Sequence, residues 1–286
     1  MTILVTGGTG QVGTELVAKL LAQRAPLRVL VRQPGRALPP GAQPAPGDLR
    51  DAASLDSAMA GAEALFLLTP LSETETQEGL NAVAAARRAG IRRIVYLGIH
   101  RIEEGRHIPH FASKLPVIDA IRASGLNWTL IEPNNFFQND LGMADAILRH
   151  GVYPQPIGGI GLSRVDVRDI AEAATVALLQ EGHAGQRYPL VGPEILTGEA
   201  VAAAYARALG RPVAYGGDDL DAWDAALRDV LPGWLLHDLR IMYEFFQSRG
   251  LAATPEELAA CTAILGHPPR ALDSFIGEVF HRATKA

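Results

Sequence analysis

The chain has 286 residues, 48% of them hydrophobic, and a formal net charge of −5. That length suits one large α/β domain, or one and a half small ones, around a sizeable core. No apolar run reaches the roughly 18 residues of a membrane span, and no basic block interleaved with aromatics points to nucleic acid. A strand two residues from the N-terminus is expected to leave no room for a signal peptide, and the single cysteine, Cys261, predicts no internal disulfide. The expectation is a soluble, cytoplasmic protein.

The first predicted element is a strand at Ile3-Leu4-Val5, a short apolar run suited to burial on both faces. Thr6 and Gly7 end it; Gly7, Gly10 and Gly13 recur at intervals of three; Val12, Leu16, Val17, Leu20 and Leu21 continue at helical spacing. Strand, glycine turn and helix place backbone N–H groups and the positive end of a helix dipole beside the strand's carboxyl edge, where a pyrophosphate can sit. Gly7, Thr9, Gly10, Gln11, Val12 and Gly13 are therefore candidate dinucleotide-binding residues, the alternative being a tight turn with no ligand. The G-x-x-G-x-x-G spacing after Thr-Gly resembles the extended and atypical short-chain dehydrogenase/reductase superfamily.

A second strand is predicted over 27–31. Nineteen positions after Gly13, where an NAD enzyme places a carboxylate for the ribose 2′-hydroxyl, stands Arg32, followed by Arg36. A guanidinium there can bind a 2′-phosphate, so the expected cofactor is NADPH; the alternative is a pair of solvated arginines. The proline-rich stretch 38–46 reads as a loop with a short third strand. Gly47-Asp48-Leu49 follows, with Asp48 either touching the adenine edge or capping a helix that starts near Asp51. Strands are predicted over 64–68, ending in Thr69-Pro70, and over 93–97. The helix between them, 74–89, is expected to turn Leu80, Val83 and Ala84 inward and stop at Gly90. This alternation predicts a Rossmann-type, doubly wound parallel α/β sheet, with ligands beyond the strands' carboxyl ends. Gly7 to Gly13, Arg32, Asp48, Thr69, Pro70 and Gly98 to His100 should then line one crevice.

A helix over 108–124 and a sixth strand over 126–131 lead into Glu132-Pro133-Asn134-Asn135-Phe136-Phe137. Pro133 and Asn135 are candidate cofactor contacts, and Asn134, Phe136 and Phe137 candidate substrate contacts forming a floor for a flat ring. An ordinary strand-to-helix turn, capped by Asn139 or Asp140, is compatible with the same residues. A helix over 166–179 and a strand over 188–191 precede five helices: 199–209, 218–230, 234–248, 255–265 and 269–283. The expected organisation is a nucleotide-binding domain of 1–133, with 160–193 returning to the sheet. A smaller, mainly helical substrate lobe of 134–159 and 194–286 would cap the crevice mouth.

A typical short-chain reductase protonates its substrate with a tyrosine four residues before a lysine, helped by a serine on the fifth strand. Here His110 and Lys114 hold the helix positions, and Tyr96-Leu97-Gly98 offers glycine for serine. On a continuous helix both would share one face, with Lys114 reaching the nicotinamide ribose and His110 exchanging a proton; Pro116 threatens that alignment. No zinc spacing among His100, His107 and His110 suggests a metal, and no G-x-S-x-G elbow supports serine hydrolysis.

Taken together, several stretches resemble the NmrA-like branch of the atypical short-chain dehydrogenase/reductases over nearly the whole chain. They are the glycine turn, Val31-Arg32, Gly47-Asp48-Leu49, the run from His110 through Lys114 to Ser124-Gly125-Leu126, Ile131-Glu-Pro-Asn-Asn-Phe-Phe, Asp166-Val-Arg-Asp-Ile-Ala, Gly192-Pro-Glu-Ile-Leu-Thr and Leu209-Gly-Arg-Pro. The resemblance implies an NADPH-binding Rossmann domain with the phosphate loop at Gly7 to Gly13, the 2′-phosphate arginine at Arg32 and the family lysine at Lys114. It also implies one of two functions. One is reduction of a small aromatic acceptor of the quinone, azo or triphenylmethane class by direct hydride transfer. The other is a non-catalytic NADP(H) redox sensor. A homodimer is compatible with either.

Overall fold

The computed structural model describes residues 1–33, 35 and 37–283, the side chains of 279–283 excepted. Its elements begin β1 (Ile3–Val5), α1 (Gln11–Ala22), β2 (Leu27–Val31), β3 (Ala42–Pro46), α2 (Ala52–Met59), β4 (Ala64–Leu67), α3 (Glu75–Arg88) and β5 (Arg93–Leu97). There follow α4 (Pro109–Ala112), α5 (Leu115–Arg122), β6 (Asn127–Pro133), a 3-10 helix (Phe137–Met143), α6 (Ala144–Leu148), β7 (Val152–Tyr153), α7 (Val167–Leu179) and β8 (Gln186–Leu190). The remainder is α8 (Gly198–Leu209), β9 (Ala214–Tyr215), α9 (Leu220–Leu227), α10 (Gly233–Arg249), α11 (Pro255–Leu265) and α12 (Leu272–Ala283). No helix among the described residues is long and apolar enough to cross a membrane.

The chain divides into two compact units, 1–132 with 167–188 and 133–166 with 189–286. Residues 160–166 and 189–193 thus group with the second unit.

The first unit is built on a seven-stranded sheet in the order β3-β2-β1-β4-β5-β6-β8, in which β1 to β6 pair in parallel. The doubly wound Rossmann architecture expected from the alternating pattern is present. Ile3, Leu4 and Val5 are wholly buried, as a central strand covered on both faces requires. Leu16, Val17 and Leu20 of α1 are likewise buried, each such side chain stabilising the unit by about 1.5–3 kcal/mol. α1 packs on α7, whose buried Ala173, Ala174 and Ala177 allow close approach. The order of strands reverses between β1 and β4, which is the switch point of this topology. There the Thr6 hydroxyl donates to Leu68 O (2.8 Å) and accepts from Leu68 N (2.8 Å), tying the two strand ends together.

Three local expectations are corrected. The buried stripe of α3 carries Glu75, Glu78, Gly79, Ala82, Val83, Ala85 and Ala86, while Ala84 is exposed and Leu80 half-buried. Asp51, not Asp48, caps α2 by accepting from Ala53 N at 3.0 Å. The helix expected over 108–124 is two, because Pro116 has no N–H to continue the ladder and becomes an early residue of α5.

The second unit is mainly helical. α8 is capped by Thr197 and ends at Gly210, whose φ of 64° is left-handed. α11 opens with a Thr254–Glu257 capping box and Pro255. Its core holds a buried polar network around Arg164. That guanidinium donates to Asp140 (2.7 and 3.2 Å), Tyr153 Oη (3.1 Å), Asn135 Oδ1 (2.9 Å) and Phe136 O (2.7 Å), with Tyr205 Oη donating to Asp140 at 2.9 Å. Asp140 is therefore the carboxylate partner of a buried arginine inside the 3-10 helix, not a helix cap.

Candidate active site

The glycine turn is held by two different kinds of necessity. A Cβ on Gly13 would lie 2.0 Å from Gly7 O, one on Gly8 2.6 Å from Val29 Cγ1, and Gly7 has a φ of +64°. These three are demanded by the turn's own packing. Gly10 is not: its φ is −86°, and a Cβ there would meet only Gly7 O at an ordinary 3.4 Å. Thr9, Gly10 and Gln11 form the exposed lip of the turn, whereas Val12 and Gly13 are buried beneath it. The N-terminus of α1 has no side-chain cap and no acidic residue in its first turn. An open cradle at Gly10, facing uncapped helix amides, fits a pyrophosphate.

Arg32 leaves the end of β2 exposed to solvent, while Arg36 lies outside the described residues. Asp48 leaves the adjacent end of β3, its carboxylate held by Arg50, and Leu49 is buried behind it. Thr69 is 5% exposed beyond the end of β4, and the following Pro70 is exposed. The carboxyl ends of β1, β2, β3 and β4 thus carry the glycine turn, Arg32, Asp48, Leu49, Thr69 and Pro70 along one edge of the sheet.

Lys114 caps α5 and turns its ammonium into a buried cluster. It donates to Thr69 Oγ1 (3.1 Å) and to Glu75 Oε1, and stands 5.6 Å from the Tyr96 ring centre. Thr69 Oγ1 donates to Glu75 Oε1 (2.7 Å) and Ser113 Oγ to Glu75 Oε2 (2.9 Å). Burial alone would pull the Lys114 pKa down, but the fields of Tyr96 and Glu75 and the hydrogen bond to Glu75 reverse this and leave it above the ordinary lysine value. Burial raises the Tyr96 pKa, against the opposing pull of Lys114. The wholly buried Tyr96 hydroxyl faces Lys114 and Thr69 without a well-formed hydrogen bond to either. An orphaned hydroxyl beside a cation, at the switch-point edge, is a second feature that fits a polar ligand group there.

His110 and Lys114 do not share one helix face: Lys114 N bonds Phe111 O (3.2 Å), and His110 lies in α4 with its ring edge-on to Phe111 at 4.8 Å. At Gly98, where the reductase pattern has serine, a Cβ would meet nothing nearer than Glu132 Cγ at an ordinary 3.4 Å, so the absence of serine is not steric.

Pro133 and Asn134–Phe137 belong to the second unit. Asn134 is 2% exposed, its amide donating to Leu251 O (2.7 Å) and its carbonyl accepting from Asn135 N (2.8 Å). Phe137 is wholly buried against Phe275 at 5.8 Å, with Arg164 over its ring, so only Phe136 of the aromatic pair keeps partial exposure. Glu75, Tyr96 and Arg164 were not among the sequence candidates, and Asp140 entered only as a possible helix cap. Glu75 had a readable signal, a carboxylate on the small-residue stripe of α3; Arg164 had none.

A family model described as the NmrA-like family matches residues 1–262. An NAD(P)H azoreductase from Xenophilus azovorans is 34% identical over 283 residues, covering 96% of each chain. A (4-alkanoyl-5-oxo-2,5-dihydrofuran-3-yl)methyl phosphate reductase from Streptomyces griseus is 37% identical over 233 residues, covering 80% of this chain and 82% of its own. The crystal structure of the NADPH-dependent quinone oxidoreductase QOR2 from Escherichia coli, complexed with NADPH, is similar with a TM-score of 0.87 at 26% identity. It covers 97% of this chain and 99% of the other.

Proposed function

The chain belongs to the NmrA-like family and is an NAD(P)H-dependent oxidoreductase with NADPH as cofactor, and we propose that it reduces flat, electron-poor aromatics of the quinone, azo or triphenylmethane dye class. The observation that carries the reading is a buried, charge-balanced Lys114 and an open phosphate cradle in one unit, in a chain without the serine–tyrosine proton donors. When bound, the cofactor supplies a hydride. The glycine turn and the α1 amides hold the phosphates, and Arg32 receives the 2′-phosphate. Lys114, kept protonated by Glu75, provides fixed positive charge where anionic character develops. Such acceptors delocalise that charge, so orientation matters more than a strong acid, which suits this residue set.

The test is loss of nicotinamide absorbance with purified protein and saturating NADPH. The panel is quinones, azo compounds, triphenylmethane dyes and an unsaturated lactone. Oxidation matched by loss of a quinone, azo compound or dye supports the reading, and turnover of the lactone alone moves the substrate class. Tight NADPH binding with no acceptor consumed would instead fit a redox sensor.

A further inference from the structure

The β2 and β3 strand ends hold three charges whose arrangement bears on cofactor choice. Val31 pairs with Pro46, and Gly47 N donates to Val31 O at 3.0 Å, so Arg32 and Asp48 leave neighbouring strand ends side by side. A free carboxylate beside the arginine meant to receive a 2′-phosphate repels that phosphate and can capture the guanidinium, which weakens NADPH and leaves NADH untouched. In this protein the carboxylate is already taken. Arg50 grips both oxygens of Asp48, Nε to Oδ1 at 3.1 Å and Nη2 to Oδ2 at 2.8 Å, while its backbone N donates to Oδ1 at 2.9 Å. This fork is the planar bidentate geometry that only arginine provides.

We propose that Arg50 is a selectivity residue for NADPH, acting by neutralising Asp48 so that Arg32 stays available to the 2′-phosphate. The Asp48 pKa is in keeping: its side-chain and backbone bonds from Arg50, with a smaller contribution from Arg32, lower it to about 2. Arg50 is 59% exposed, so its loss leaves the packed interior intact. Asp48 without Arg50 turns to Arg32, and the 2′-phosphate then competes with a carboxylate for the same guanidinium. NADH, which carries no 2′-phosphate, is indifferent to that competition or gains from it.

The proposal rests on the reading that Arg32 receives the 2′-phosphate, and binding measurements separate the two without any acceptor. Dissociation constants for NADPH and NADH are measured by titration calorimetry at one ionic strength for wild type, Arg32→Ala, Arg50→Ala and Asp48→Asn/Arg50→Ala. Arg50→Ala is expected to weaken NADPH about tenfold while leaving NADH unchanged or tighter, and the double variant to return NADPH to within about twofold of wild type. If Arg50→Ala weakens both cofactors equally, changes neither, or is not rescued by Asp48→Asn, the proposal is overturned. An unchanged NADPH preference in Arg32→Ala overturns the underlying reading of Arg32 instead.

Discussion

The Lys114 ammonium is hydrogen-bonded to the carboxylate of Glu75, 39 residues earlier in the chain, with the two side chains 12% and 1% exposed. The pair joins the start of α5 to the first turn of α3, and Thr69 and Ser113 complete the carboxylate's bonding. A buried cation is therefore available at the sheet edge without being left uncompensated.

The Lys114 pKa lies above the ordinary 10.5, so its charged form and the stability it contributes are fully present below about pH 10.5 and lost as pH rises through the folded value. Glu75→Gln removes one upward pull and leaves burial to act in the opposite direction. The alkaline limb of the kcat/KM profile should move to lower pH by about one unit or more, with NADPH affinity at neutral pH little changed. A limb that stays in place means Glu75 does not set the charge of Lys114. Lys114→Met should lower kcat/KM by about 10²- to 10³-fold.

Glycines 10 and 13 should fail differently. Gly13→Ala places a Cβ 2.0 Å from Gly7 O and should cost about 3 kcal/mol, read as a fall in Tm without any ligand. Gly10→Ala meets nothing closer than 3.4 Å, so Tm should hold while NADPH affinity drops about tenfold or more. Equal loss of Tm in both variants would contradict the assignment of Gly10 to phosphate.

Arg164→Met leaves Asp140 as a buried charge without its partner, both side chains being wholly buried. The expected cost is about 3–5 kcal/mol by chemical denaturation. Replacing both, as Arg164→Met/Asp140→Leu, should recover much of it, because the penalty comes from the stranded charge. Non-recovery would point to the rest of the network, the bonds from Arg164 to Asn135 and Phe136 and those from Tyr205 and Gln155 to Asp140, as the dominant part.

Asp48 has a lowered pKa, so the stability from its Arg50 pair is present above the ordinary value of 3.8 and lost as pH falls towards about 2. The Tm difference between wild type and Asp48→Asn should be steady at neutral pH and shrink through that window. A difference constant down to pH 2 would mean the pair contributes nothing to folding.

Much of this architecture is legible along the chain. Strand periodicity, the glycine turn and the run of C-terminal helices are local properties, encoded in spacings of a few residues, and so is the placement of Arg32 after β2. Lys114 could be singled out from its neighbours, and the break at Pro116 was foreseeable because proline lacks the N–H a helix needs. What surrounds Lys114 was not legible. Thr69, Glu75 and Tyr96 come from just beyond β4, the start of α3 and the carboxyl end of β5, and only the strand order places them together. The same holds for Arg164, whose partners reach from Asn135 to Tyr153 in sequence. It holds also for Phe137, which belongs to the second unit's core although its aromatic neighbour Phe136 does not. Local spacing determines which elements form and where a charged or glycine residue meets a strand end. Whether that residue is then neutralised, buried or left open depends on groups distant in the chain, and the tertiary structure decides it.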